Sequence, residues 1–579
     1  MAFNPVAAFA ALSVLFIPGI AFSFALLRST TFGRFDKTLF GLILGMLSIP
    51  LLSFFEYFFL GVKLNALLVL ANALLVLFAS LLSLHFQGAT FRPSIPRFEE
   101  KNWKQYAVLV LVALSILLGF YVRFSPAWAT DFFEFDPFYY EKLTRELVQN
   151  GFIPMFSSDT SFPRTGFQHW APAMHYLTGS WYELHQWFTG GSYDQEALIL
   201  LSQLYPPMVG ALLSFVVFIL MREEYNEYLA VIPAMLFAIT PQLVKKFAAG
   251  VAEQQPFGMF TALLVFTLLL LAIKRRSYRI AAMAGLAGLA SILGSQQYLW
   301  PAMIIGAFIG FQGLLDFVAG TFDNRKTIVQ SVVVLAFLIG NTIMAAYQNQ
   351  AYFRFDSPFM LLLVGSMFFY LVLQGISSAV ALKKTFHRLA LLAGLFGVLL
   401  IGSLFVNVDD VILNTIVSQA KIAETSSPVA KTVQEEARTI PELFPGAFGI
   451  LSPNLLILLA TLVTLALPVT YLLSKKRYQH AALVGGVGAA AIVFNPYIDS
   501  LLTSMASVIS YPAFSALVSL LTDSDVFAYM LITLAATALY YLISSEKRSE
   551  TPLLMVFIFF PIAYVGLNKL KFILHLAVA

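Results

Sequence analysis

Residues 256–273 read PFGMFTALLVFTLLLLAI, eighteen positions without a charge, and the run ends on Lys274, Arg275 and Arg276. An α-helix of about this length crosses the roughly 30 Å hydrocarbon layer of a membrane. It can do so because all its backbone hydrogen bonds are made within the segment. The same pattern repeats along the chain. Of its 579 residues, 59% are hydrophobic and 11% charged, against the roughly 25% charge of soluble domains. Comparable apolar stretches fall at 6–27, 38–60, 64–85, 104–122, 198–221, 228–244, 280–295, 298–315, 328–347, 358–382, 389–406, 453–474, 480–495, 526–544 and 552–568. With 256–273 they predict about sixteen spans. The expected fold is therefore all-α, a polytopic transmembrane helical bundle.

Outward from 256–273, the basic end sets orientation. Lys274, Arg275, Arg276 and Arg279 join Arg28/Arg34/Lys37, Arg92/Arg97/Lys101/Lys104, Arg222, Lys383/Lys384/Arg388, Lys475/Lys476/Arg477 and Lys547/Arg548. If each cluster is cytoplasmic, the intervening spans cross in consistent parity. Parity also makes 499–523 a re-entrant or interfacial segment. Loops 123–197, 245–255, 296–297, 348–357 and 407–452 are then expected to face outward. The first segment, from Val6 to Leu27, has no charged stretch before it and is long enough to span, so it reads as a retained helix. A net charge of +4 is small for this length and gives no reason to expect a nucleic-acid partner. The absence of cysteine excludes disulfides, thiolate metal ligands and cysteine nucleophiles.

At the other end of 256–273 stands Glu253, in Ala249-Gly250-Val251-Ala252-Glu253-Gln254-Gln255. Two further acidic motifs share its predicted face. One is Asp136 in Glu134-Phe135-Asp136-Pro137-Phe138-Tyr139-Tyr140, and the other is Glu424 in loop 407–452. Convergent carboxylates suit a hard divalent cation such as Mg²⁺ or Mn²⁺, which can neutralise a phosphate leaving group. Each acid also has a plainer reading. Asp136 and Pro137 suit the N-cap and first position of a helix running to Asn150 and closed by Gly151. Glu253 stands where a helix dipole favours an acid, and Glu424 reads equally as a solvated loop charge. In the first loop, Phe162 to Gly166 and Trp170-Ala171-Pro172 read as turns supporting aromatic packing. His169, His175 and His185 match no metal-ligand spacing and read as aromatic packing with surface hydrogen bonds. There is no Gly-rich phosphate loop, G-x-S-x-G elbow or H-E-x-x-H motif.

Taken together, the motifs resemble the catalytic subunit of oligosaccharyltransferase, most nearly its archaeal branch. The resemblance runs through Glu134 to Tyr140, Leu143-Thr144-Arg145 and Asn150-Gly151. It continues in Ala249-Gly250 with Glu253, in Ile422-Ala423-Glu424, and in Lys571-Phe572-Ile573-Leu574-His575. It covers about residues 103–579 and leaves 1–102 as extra N-terminal transmembrane helices. The implied fold is of the GT-C glycosyltransferase type, in the cell membrane with its site on the extracytoplasmic face. First external loop 123–197 and mobile external loop 407–452 would frame that site.

The resemblance also implies roles. Asp136 and Glu424 would be catalytic, and Asp136, Glu253 and Glu424 would hold Mn²⁺ or Mg²⁺. Gln255 stands where the family carries a carboxylate. Lys571 would meet the lipid phosphate, where the family has arginine. The implied partners are a lipid-linked oligosaccharide on dolichyl phosphate or pyrophosphate, an acceptor protein with Asn-X-Ser/Thr, and membrane lipid. The family's soluble C-terminal acceptor domain with its Trp-Trp-Asp motif has no counterpart, since the last tryptophan is Trp300. Truncation, or a partner supplying the rest, is the expected reason. Two alternatives stay open: a polyprenyl-phosphate-monosaccharide transferase of the same superfamily, and an inactive family member or transporter-like scaffold. Transporters place ionisable groups at the bilayer midplane, whereas these acids lie in loops.

Overall fold

The computed structural model describes residues 3–88, 103–124, 132, 136–154, 156–161, 164–167, 171–224, 226–295, 299–348 and 358–380, with scattered positions between 387 and 394. These residues fall into two compact units.

The first unit opens with three apolar helices, α1 (Pro5–Leu26), α2 (Arg34–Leu60) and α3 (Ala66–Phe86). Their starts are written locally. The Asn4 side chain accepts from the N–H groups of Val6 and Ala7, Asp36 accepts from Gly33, and Asn65 accepts from Leu68, satisfying donors that a helix leaves open. Small residues let α1 and α2 cross closely. A Cβ on Gly19, Gly41 or Gly45 would run into the backbone of the other helix, the packing that membrane helices use where no hydrophobic force drives them together.

The unit continues with α4 (Trp103–Phe124), α5 (Asp136–Asn150), the strands β1 (Phe156–Ser161) and β2 (Arg164–Phe167), and α6 (Pro172–Thr189). Then come α7 (Gln195–Glu224), α8 (Glu227–Ile239), α9 (Pro241–Lys246), α10 (Gln254–Arg275), α11 (Tyr278–Gly294) and, after the start of α12, α13 (Asn324–Gln348). Where turns alone were expected in the first loop, β1 and β2 pair antiparallel, with Phe156 opposite Phe167. The residues after α5 are pinned by Tyr57 stacked on Phe152 at 5.4 Å and by the Tyr347 hydroxyl donating to the Ile153 carbonyl at 3.3 Å.

Arginines from three of the basic clusters bind neighbouring elements of this unit. Arg28, just past α1, donates to the carbonyls of Leu84, Gln87 and Gly88 at the end of α3. Arg222 of α7 meets Asp36 of α2 at 3.0 Å, Arg275 of α10 meets Glu223 of α7, and Arg276 meets Asp323 at 3.3 Å.

In the second unit, α12 (Leu299–Ala319) packs on α14 (Pro358–Ala379). There the buried Asp316 accepts from Gln312, Thr321 and Tyr370.

Among the described residues nine helices are long and apolar enough to cross a membrane. This is a multi-pass membrane protein. Two predicted spans that the described residues cover are not among these nine. The stretch 228–244 is divided into α8 and α9 at Thr240, because Pro241 has no N–H to continue the ladder and the Thr240 hydroxyl bonds back to the Leu236 carbonyl at 2.6 Å. The stretch 280–295 is the 17-residue α11. The five spans predicted from 389 onward lie outside the described residues, apart from those scattered positions, and 499–523 lies wholly outside them.

Candidate active site

Glu253 is placed by the end of α4. The Arg123 side chain, fully buried, donates to the carbonyls of Gly119, Phe237 and Ala238 at 2.8–3.0 Å. Its cation also lies 5.8 and 5.9 Å from the ring centres of Phe237 and Phe247. The Arg123 carbonyl in turn accepts the N–H of Ala249 at 2.8 Å. Gly250 then takes φ +93°, a conformation side chains with a Cβ avoid. The chain reaches Glu253 extended (φ −113°, ψ 174°) at the start of α10. Glu253 is 2% exposed. The Tyr205 hydroxyl of α7 donates to its carbonyl, from a position just before Pro206 and Pro207 inside that helix.

Asp136 stands in the first turn of α5 and is exposed. The far end of that helix is closed by Gly151 at φ +79°, whose N–H reaches the Leu147 carbonyl at 2.7 Å. This is the cap expected from the sequence. The Gly151 carbonyl accepts from Leu64, and a Cβ there would lie 2.5 Å from that of Lys63. Along α5, Thr144 bonds His175 of α6 at 2.8 Å. His175 is fully enclosed rather than at a surface, and burial pushes its imidazole down to about 3, so it stays neutral. His185 stacks on Phe3 at 5.6 Å. His169 lies outside the described residues.

Tyr140 feels the charge of both acids. Its ring lies 6.1 Å from that of His175. Burial raises its phenol above the ordinary range, and the charges of Asp136 and then Glu253 raise it further. Two carboxylates 117 positions apart in sequence thus bear on one hydroxyl. Gln255, where the resemblance implies a carboxylate, is half-buried in the first turn of α10. Glu424, Lys571 and loop 407–452 lie outside the described residues. Among the described residues no three His, Cys, Asp or Glu side chains are grouped to hold a metal. Asp136 and Glu253 supply oxygen donors of the kind a hard cation takes, but only two of them. Sequence reasoning assigned no role to Tyr140 or Tyr205. The Tyr205-Pro206-Pro207 sequence inside an apolar run was the visible signal, since prolines there free carbonyls one turn earlier.

The fold defines a polytopic helical membrane protein in which Asp136 and Glu253 each stand at the start of a helix. The profile of the oligosaccharyl transferase STT3 family, N-terminal part, matches residues 106–539, and the chain belongs to that family of glycosyltransferases. Dolichyl-phosphooligosaccharide-protein glycotransferase 2 of Archaeoglobus fulgidus is 26% identical over 162 residues, which cover 27% of this chain and 26% of that protein. The crystal structure of the Archaeoglobus fulgidus oligosaccharyltransferase in the apo form shares the fold. It has a TM-score of 0.51 at 18% identity, covering 83% of this chain and 56% of that one. The chain therefore spans about a quarter of the curated relative and little over half of the solved one. Helices α1 to α3 precede the residues matched by the family.

Proposed function

We propose that this chain transfers an oligosaccharide from a polyprenyl phosphate or pyrophosphate, of the dolichyl type, to the asparagine of Asn-X-Ser/Thr, at a site on the extracytoplasmic face. Family membership over 106–539 supports the reaction class. The single observation that supports the site is that the charges of Asp136 and Glu253, far apart in sequence, both act on the buried Tyr140 phenol. The extra helices 1–102 would be an addition to a catalytic transmembrane domain covering 103–579.

The chemistry asks two things of the site. An amide nitrogen is a poor nucleophile because its lone pair is delocalised into the carbonyl. Carboxylates that accept hydrogen bonds from both amide N–H groups hold the nitrogen in line and weaken that conjugation. Asp136, exposed in the first turn of its helix, is free to do this, and the resemblance assigns the second acceptor to Glu424. Glu253, buried and backed by Tyr205, is held in one place, as a positioned ligand must be. Asp136, Glu253 and Glu424 are the residues that would hold Mn²⁺ or Mg²⁺. When bound, the cation supplies charge stabilisation to the departing phosphate. Lys571 would add a second positive charge to that phosphate.

The test is transfer to a sequon peptide by the full chain reconstituted in vesicles. Asp136→Ala and Glu424→Ala are expected to abolish transfer while the protein still inserts. Retained transfer in Asp136→Ala would sink the assignment. Excess EDTA is expected to stop turnover, with recovery on adding Mn²⁺. Supplying a single sugar on a monophosphate beside the oligosaccharide donor separates this reaction from that of a monosaccharide transferase.

A further inference from the structure

The first unit contains a cavity of about 690 Å³ walled by α1, α2, α3 and α11. Its lining is mostly apolar, with Phe22, Leu51, Phe55, Val76 and Met283 among the contributors and the hydroxyls of Ser48 and Ser80 between them. It extends from Leu44 to Phe55 on α2 and from Leu75 to Gln87 on α3. At 1.5 Å per residue that is roughly 16–18 Å, about half the hydrocarbon thickness of a bilayer. The space therefore matches the depth of one leaflet.

Toward the basic end the lining turns polar, with Ser83, Gln87 and Arg279. The Nη1 of Arg279 is enclosed and has no hydrogen-bond partner among the described residues. The Gln87 amide N–H₂ beside it donates to the Ala25 carbonyl and the Ser83 hydroxyl and offers this donor no acceptor. A guanidinium nitrogen withheld from water and left unbonded is costly. An anion at the mouth removes that cost, and a hydrocarbon chain fills the apolar space behind it.

We infer that this cavity holds one anionic phospholipid of the surrounding membrane. Its phosphate pairs with Arg279, and one acyl chain lies among α1, α2, α3 and α11. Arg on the basic side of a membrane protein suits such a headgroup, both by charge and by its forked donors. This is not the place for a glycan donor. The 22 residues of α10 separate Glu253 from Arg275 by about 33 Å, and Arg279 follows just beyond. Three of the four walls also lie outside the residues matched by the family. The site thus stands apart from glycosyl transfer.

The full chain, reconstituted in phosphatidylcholine vesicles, can be irradiated with phosphatidylglycerol carrying a diazirine in its acyl chain. A parallel sample carries the same label on phosphatidylcholine at equal mole fraction, and labelled peptides are mapped by mass spectrometry. Phosphatidylglycerol is expected to label the cavity-lining parts of α3 and α11 roughly tenfold more than phosphatidylcholine. Arg279→Gln should remove that excess, the size expected from one lost charge-assisted contact, and Arg279→Lys should keep most of it. Ala79→Phe, which intrudes on the cavity, should reduce labelling by both lipids. Equal labelling of the wild-type chain by the two lipids would overturn the inference, and so would an excess unchanged in Arg279→Gln. The wild-type comparison decides the matter even if a variant fails to fold.

Discussion

Glu253 and Tyr205 show what a single side chain contributes. Tyr205→Phe removes the donor to a buried carbonyl at the start of α10, and an acceptor left open in a dry site costs about 1–3 kcal/mol. Transfer is expected to fall roughly tenfold without loss of membrane insertion, as a sequon-peptide assay on vesicles can measure. His175 has a different signature. Its imidazole sits at about 3 in the fold against about 6.5 when unfolded, so the unfolded chain binds the extra proton between these values. Stability is complete above about pH 6.5 and is lost as pH falls toward 3. Thermal unfolding at pH 7 and pH 5 should show a drop that narrows in His175→Gln. At this scale Asp136 and Glu253 were legible, because an acid directly before a helical run stands out against apolar sequence. Tyr140 and Tyr205 were not, because what each faces, the charge of Glu253 for Tyr140 and the Glu253 carbonyl for Tyr205, lies on another element.

Helix α5 depends on its two ends and on one neighbour. Gly151→Ala forces a Cβ into a left-handed conformation and against Lys63, a cost of about 1–2 kcal/mol from the backbone alone. It is expected to lower the melting temperature and to loosen α5, exposing 136–151 to faster hydrogen exchange. The neighbouring α6 carries a second pH effect of opposite sign. The Glu183 carboxyl is pushed up to about 7 by burial, although it accepts the Ala66 N–H at the start of α3. Here the folded chain holds the extra proton between about 4.5 and 7, so stability falls as pH rises through that window. Glu183→Gln should flatten this part of the stability curve while leaving the His175 part intact. Most helices were readable from apolar run length, and the cap at Gly151 from residue type. The division at Thr240 was missed although its signal, Pro241 after Thr240, stands in the sequence, because hydropathy alone carries the span through it. The β1–β2 hairpin was likewise hidden in a polar loop whose cross-strand partners lie close in sequence but carry no clear alternation.

At the scale of the whole molecule, the N-terminal helices are tied to the rest by charge. Asp36 is 3% exposed and is met by Arg222 through two hydrogen bonds at 3.0 and 3.2 Å. Arg222→Ala leaves a buried charge without its partner, at a cost of about 2–3 kcal/mol, below the value for a fully buried pair because Arg222 stays partly exposed. The double variant with Asp36→Ala should be less destabilised than Arg222→Ala alone, and denaturation of the two side by side in detergent checks this. The sequence by itself determined that the chain is a bundle of membrane helices, since apolar runs of this length have one stable form in a bilayer. It also carried the family motifs, and with them the acids to examine. Only the tertiary structure decided that the charges of Asp136 and Glu253 both act on the Tyr140 phenol, that Arg123 braces the turn into α10, and that α1 to α3 line a cavity with α11. The physical reason is that period and composition act along one helix, whereas a site or a cavity is made by packing between helices far apart in the chain.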